Sequence, residues 1–109
     1  MFEYRATVLR VVDGDTVDVE IDLGLDIRHR TRLRLYGINA PEVRGPSRES
    51  GKASADALRG LIADSPDVIV QTVKDRREKY GRYLATIWAG ETNVNEAMVT
   101  MGFAEASPW

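Results

Sequence analysis

The chain has no cysteine, one histidine (His29) and no apolar run near the ~20 residues of a membrane span. The first absence removes disulfides, thiolate metal sites and cysteine nucleophiles together, and the second argues against zinc. The start, Met1-Phe-Glu-Tyr-Arg, holds no apolar stretch resembling an export signal. The expectation is a soluble protein without membrane contact, cytoplasmic as written unless an export segment has been removed. Internal repeats, low-complexity tracts and linkers are missing as well. What remains is 109 residues, 43% hydrophobic and 29% charged, which fits one domain over 1–109 with a single core and leaves no room for two.

Net charge is −2, from 15 Lys+Arg against 17 Asp+Glu, which argues against a generic nucleic-acid coat. The placement of the charges is more telling. Residues 1–26 carry seven acids and two bases, whereas residues 28–48 carry six arginines and one acid, Glu42. Residues 74–82 add five bases, among them Arg76, Arg77 and Lys79, against two acids. An acidic segment beside two basic ones is what a cation site next to a phosphate site needs.

Residues 4–12 are rich in β-branched side chains and end at Asp13-Gly14, a tight-turn pair, so they read as a strand and its turn. Residues 16–23 alternate, with Val17, Val19, Ile21 and Leu23 on one face and Asp18, Glu20 and Asp22 on the other. Residues 27–38 alternate too, setting Arg28, Arg30, Arg32 and Arg34 against Ile27, His29, Thr31, Leu33 and Leu35. With Gly24-Leu25-Asp26 between them, the two segments predict a long antiparallel hairpin. Residues 47–63 place Ala53, Ala57, Leu58, Leu61 and Ile62 at helical spacing, with serines near the start as caps. Residues 67–73 and 83–89 read as two further strands around a polar loop, 74–82. Val94, Ala97, Met98 and Met101 then mark a short second helix ended by Gly102. Five short strands with a helix after the third point to a mainly β, α+β Greek-key barrel of the oligonucleotide-binding (OB-fold) type with two flanking helices.

A turn centred on Leu25 makes residues i and j opposite when i + j = 50, and opposite residues share a face of the sheet. Arg28 then meets Asp22, Arg30 meets Glu20 and Arg32 meets Asp18, as cross-strand ion pairs each worth under ~1 kcal/mol. Arg34 falls opposite Thr16, with no acid across from it. That isolates Arg34 at the end of the hairpin where Asp15 and Asn39-Ala-Pro-Glu42 also lie.

Asp13-Gly-Asp15-Thr alone is accounted for by a turn, Asn39-Ala-Pro-Glu42 by a proline-punctuated loop, and Tyr80-Gly-Arg82 is weak by itself. Together they offer a carboxylate and an amide as oxygen ligands, a second carboxylate as base, and two guanidinium groups. Oxygen ligands without His or Cys favour Ca²⁺ or Mg²⁺, and arginines grip phosphate oxygens while staying charged. His29, Met98, Met101 and Trp88 read as structural residues, His29 at the core or rim, the methionines in the helix core and Trp88 in the barrel. Arg76 and Arg77 are read equally as a solvated loop or as contacts to a substrate backbone.

The stretches V12-D-G-D-T-V17, R32-L-R-L-Y-G-I-N-A-P-E42, the helix from Gly51, K79-Y-G-R-Y-L-A85 and N93-V-N-E-A-M-V99 with Gly102 behind them resemble the staphylococcal nuclease family over nearly the whole chain. Five motifs in order are far more specific than one. The resemblance implies a five-stranded OB-fold barrel and a Ca²⁺-dependent phosphodiesterase acting on DNA and RNA to leave 3′-phosphate ends. By position, Asp15, Asn39 and the Ala40 carbonyl match the calcium ligands, Glu42 the general base, and Arg34 and Arg82 the two phosphate-binding arginines. Lys79 and Tyr80 match residues near the terminal phosphate of a bound nucleotide. The implied partners are single-stranded DNA and RNA, met by a monomer.

Two departures from the family pattern stand out. Asn39 replaces the usual aspartate and removes one negative charge, for which Asp13 is a conceivable helper. The family's C-terminal helix and base-packing tyrosine have no counterpart before Trp109, and Pro108 occupies about the tyrosine's place. A second reading, a catalytically weak or inactive OB-fold module that binds nucleic acid or protein, is favoured by Asn39. Retention of Arg34, Glu42 and Arg82 opposes it.

Overall fold

The computed structural model describes residues 2–63, 67–77 and 81–107, with the backbone alone for 74–77. Its strands are β1 (Phe2–Asp13), β2 (Thr16–Asp22), β3 (Arg28–Leu35), β4 (Ile38–Asn39), β5 (Asp67–Arg77), β6 (Tyr83–Ala89), β7 (Thr92–Asn93) and β8 (Glu105–Ala106). The helices are α1 (Arg48–Ile62) after β4 and α2 (Val94–Thr100) after β7. The sheet runs β3-β2-β1-β5-β6-β7, and a parallel ladder of β3 on β6 closes it into a five-stranded barrel. This is the OB-type α+β architecture that the alternating segments predict.

The alternation of β2 does what it promises as far as Ile21. Val17, Val19 and Ile21 are buried while Asp18 and Glu20 lie on the outer face. Leu33, Leu35, Val70, Ala85 and Ile87 complete the interior, and Leu58, Val94 and Met98 cap it from the helices. The β2–β3 register pairs Asp18 with Arg32, Glu20 with Arg30, Asp22 with Arg28 and Thr16 with Arg34, all summing to 50. Leu23, Leu25 and Ile27 are exposed because the hairpin overhangs the barrel end. Its reversal carries three consecutive positive φ angles at Gly24, Leu25 and Asp26.

Several details differ from the sequence reading. Arg28 leans diagonally to Glu20 (3.7 Å), because the Asp22 carboxylate instead accepts the Gly24 amide at 2.8 Å and holds the turn. Strand three stops at Leu35, since Gly37 takes a left-handed φ of 80°; Ile38 and Asn39 then pair with Ala106 and Glu105 in a separate ribbon. Strand β5 continues to Arg77, so the polar loop begins later, and β6 turns back through Gly90 onto the short β7. Met101 and Ala53 are exposed: the buried stripe of α1 runs through Gly51, Ser54, Ala55, Leu58 and Ile62, one position out of phase with Ala53. Ser47 stands at the N-cap of α1 without capping it; its hydroxyl donates to the Glu42 carbonyl at 3.2 Å. His29 lies exposed on the overhanging hairpin, and Trp88 is half-buried with its indole N–H on Gln71 at 2.9 Å.

Helix α2 starts on Asn93, whose side chain accepts the Glu96 amide. Two residues on, the buried Asn95 donates to the carbonyls of Tyr36 and Ala85 and accepts the Ile87 amide. It thereby ties main-chain groups on both sides of the barrel closure, where the Tyr36 amide also donates to the Ala85 carbonyl at 2.8 Å.

On the outer face Arg32 grips Asp18 through Nε at 2.7 Å and Nη2 at 3.2 Å. That hydrogen bond, chiefly, holds the Asp18 carboxyl below its usual range and raises the Arg32 guanidinium. A depressed carboxylate contributes stability that is complete above its unfolded pKa and is lost as pH falls through the folded one. Asp18→Asn is therefore expected to lower stability at neutral pH by under ~1 kcal/mol, the usual worth of a solvated pair. In thermal melts, the gap from the unaltered protein should close as pH is taken below the ordinary carboxylate value.

Candidate active site

The turn between β1 and β2 carries Asp15, only 6% exposed, and the end of β3 brings Arg34, 4% exposed, against it. Arg34 Nη1 lies 2.7 Å from Asp15 Oδ2, which also accepts the Ala40 amide at 2.8 Å. Asp15 Oδ1 accepts the Thr16 hydroxyl at 2.9 Å, and the Asp15 carbonyl accepts the Leu35 amide at 2.7 Å. Arg34 Nη2 donates to Asn39 Oδ1 at 3.2 Å, so one guanidinium gathers the side-chain oxygens of Asp15 and Asn39. The arginine without an acid across the hairpin is thus met by the acid beside its cross-strand partner. Its pairing is a buried one, in which removing either charge strands the other.

Arg82, just before β6, reaches Thr16 Oγ1 through Nη1 at 3.4 Å. The Thr16 hydroxyl therefore bridges Asp15 to the second arginine, a role the sequence reading missed. Its signal was present in the register, where Thr16 is the residue opposite Arg34. Asp15, Asn39, Ala40, Arg34 and Arg82 come together at one end of the barrel. Lys79 and Tyr80 lie outside the described residues, as do Pro108 and Trp109 and the side chains of Arg76 and Arg77.

Glu42 is exposed at the rim, but its backbone is held on both sides. The Ser47 hydroxyl donates to its carbonyl, and the next amide, of Val43, donates to Asp13 Oδ1 at 3.1 Å. Asp13, considered from sequence as a helper for a cation, is here tied to the loop that carries Glu42. Helix α1 presses on the same loop through Gly51, where a Cβ would collide with the Glu42 carbonyl and the Val43 nitrogen. Gly14 makes the matching contact one turn along the same face of α1, since a Cβ there would overlap Ser54 Oγ.

Among the described residues no three His, Asp or Glu side chains gather as a metal cluster. The side-chain oxygens that do converge are the Asp15 carboxylate and the Asn39 amide oxygen, and the Ala40 main chain reaches them through its amide. That donor set suits a hard cation. The Asp15 carboxylate retains accepting capacity beyond its bonds to Thr16, Ala40 and Arg34. Arg34 offsets its charge and Asn39 is neutral, so these groups would hold such a cation only weakly.

The family model described as staphylococcal nuclease homologue matches residues 32–108. The chain belongs to that family. Proteins similar to it include Protein ParB of Escherichia coli, 35% identical over 95% of this chain and 58% of its own length. The thermonuclease of Staphylococcus hyicus is 31% identical over 95% of this chain and 60% of its own. The micrococcal nuclease of Shigella flexneri is 34% identical over 95% and 59%. The chain spans about three fifths of the length of these relatives.

Two predictions follow the anchoring of Glu42. Gly51→Ala should destabilise by about 1–3 kcal/mol in urea titration through overpacking, although alanine is the better helix former. Gly60→Ala on the same helix, with open space around it, should instead gain up to ~1 kcal/mol. Asp13→Ala should speed hydrogen exchange of the Val43 amide, whereas Asp13→Asn, which keeps an accepting oxygen, should leave it slow.

Proposed function

We propose that this domain is a Ca²⁺-dependent nuclease that hydrolyses phosphodiester bonds of single-stranded DNA and RNA and leaves 3′-phosphate ends. The observation that carries this reading is the convergence of Arg34 and Arg82 on the buried Asp15–Thr16 pair, with Asn39 joined to it and Glu42 anchored at the rim. The relatives named thermonuclease and micrococcal nuclease support it.

In this reading Asp15 and Asn39 side-chain oxygens and the Ala40 carbonyl hold the cation, which when bound draws negative charge away from phosphorus. Glu42 takes the proton of a water that attacks phosphorus in line, and the bond to the 5′ oxygen breaks as that oxygen acquires a proton. Arg34 and Arg82 hold the non-bridging oxygens as charge builds on them. A guanidinium carries five N–H donors, so Arg34 keeps its bond to Asp15 while turning others to phosphate. Lys79 and Tyr80 bind the terminal phosphate of the nucleotide. The domain works as a monomer.

The neutral Asn39 and the Asp15–Arg34 ion pair favour a second reading, a binding module with little or no turnover. One experiment separates the two: incubation with single-stranded DNA and RNA in millimolar Ca²⁺ or in chelator, with analysis of fragment ends. The nuclease requires cleavage that stops in chelator and leaves 3′-phosphates. Glu42→Gln should keep the fold and strand binding while lowering kcat by ~10²-fold or more, the usual worth of a general base. Strand binding without cleavage by the folded protein would establish the module instead.

A further inference from the structure

The first half of α1 and the loop before it carry a basic surface that the proposed chemistry does not use. Arg48 and Lys52 are four residues apart on one face of the helix, about 6 Å along its axis, and Arg59 follows on the same ridge. Arg44 joins them from the loop, and together with Val43 and Gly45 they line a groove of about 620 Å³. Arg59 is offset by Asp56 at 2.6 Å. Arg44, Arg48 and Lys52 are exposed and, among the described residues, have no carboxylate within ion-pairing distance. The contrast with the hairpin is direct, because there Asp18 and Glu20 offset Arg28, Arg30 and Arg32. The groove also begins in the right place. Val43 and Arg44 immediately follow Glu42, whose carbonyl Ser47 holds at the start of α1.

We infer that Arg44, Arg48 and Lys52 form a track for the phosphodiester backbone of a single strand, leading away from the reacting phosphate along α1. The inference rests on the nuclease reading for the position of that phosphate. Such a track acts by charge and is indifferent to base. It favours long strands over a single diester, which reaches only the arginines at the barrel end.

The test is the salt dependence of binding, read by fluorescence anisotropy with labelled single strands of DNA and of RNA, in chelator so that nothing is cleaved. Each phosphate contact to a single strand contributes about −0.7 to the slope of log K against log salt. Arg48→Gln with Lys52→Gln should therefore reduce the slope by about 1.4 on either backbone. Arg28→Gln with Arg30→Gln, at offset positions, should change it less. Circular dichroism checks that each variant is folded. In Ca²⁺, the Arg48/Lys52 variant should cleave a minimal diester at the unaltered rate and long strands less efficiently.

An unchanged slope in the folded variant overturns the track, even if the protein proves to be a nuclease. A reduced slope in a protein that never cleaves upholds the track and removes the nuclease reading. Binding to anionic lipid vesicles with none to either strand overturns it as well.

Discussion

The Asp15 carboxylate is the joint on which the barrel end depends. Its own main chain receives the Leu35 amide from β3, and its side chain takes the Ala40 amide, the Thr16 hydroxyl and the Arg34 guanidinium. The turn after β1, the end of β3 and the segment after β4 are thereby fastened to one buried charge. A buried ion pair of this kind gains little over a well-packed apolar pair, but breaking it is costly. Its retention fits a place where charge serves chemistry more than stability.

Around that joint two groups of cations stand in different surroundings. On the overhanging hairpin the arginines stand beside carboxylates across the strand, and the surface is close to neutral. At the start of α1 and in the loop before it, Arg44, Arg48 and Lys52 have no carboxylate within ion-pairing distance among the described residues, and they lie beside the loop bearing Glu42. A net charge of −2 conceals this arrangement entirely. What the charges do depends on which element supplies the opposing sign.

Much of this was legible in the sequence because a hairpin obeys simple arithmetic. The alternation of β2 and β3 and the glycine-containing turn set the register, and the register singled out Arg34 and its neighbour Thr16. The five-stranded barrel with two helices followed from strand order and from the resemblance that the family match bears out. Periodicity could not reveal the side-chain choices: Arg28 prefers a diagonal partner because Asp22 is committed to its turn. Nor could it reveal long-range roles, such as Asp13 holding the Val43 amide thirty positions away or Asn95 bracing the closure of the barrel. Such residues look like ordinary turn and helix polar groups until the chain is folded. The short β4–β8 ribbon joins two-residue strands far apart in the chain, too brief to leave a pattern.

The barrel is closed by a single parallel ladder, Leu33, Arg34 and Leu35 against Tyr83, Leu84 and Ala85. Every other seam between its staves is antiparallel and longer. Arg34 lies within that short ladder and Arg82 immediately precedes it. A breathing motion that parts β3 from β6 would pull the two guanidinium groups away from each other while the remaining strand pairs stayed zipped. The spacing of the two guanidinium groups therefore rests on the shortest seam of the barrel, three residue pairs that Asn95 braces from α2.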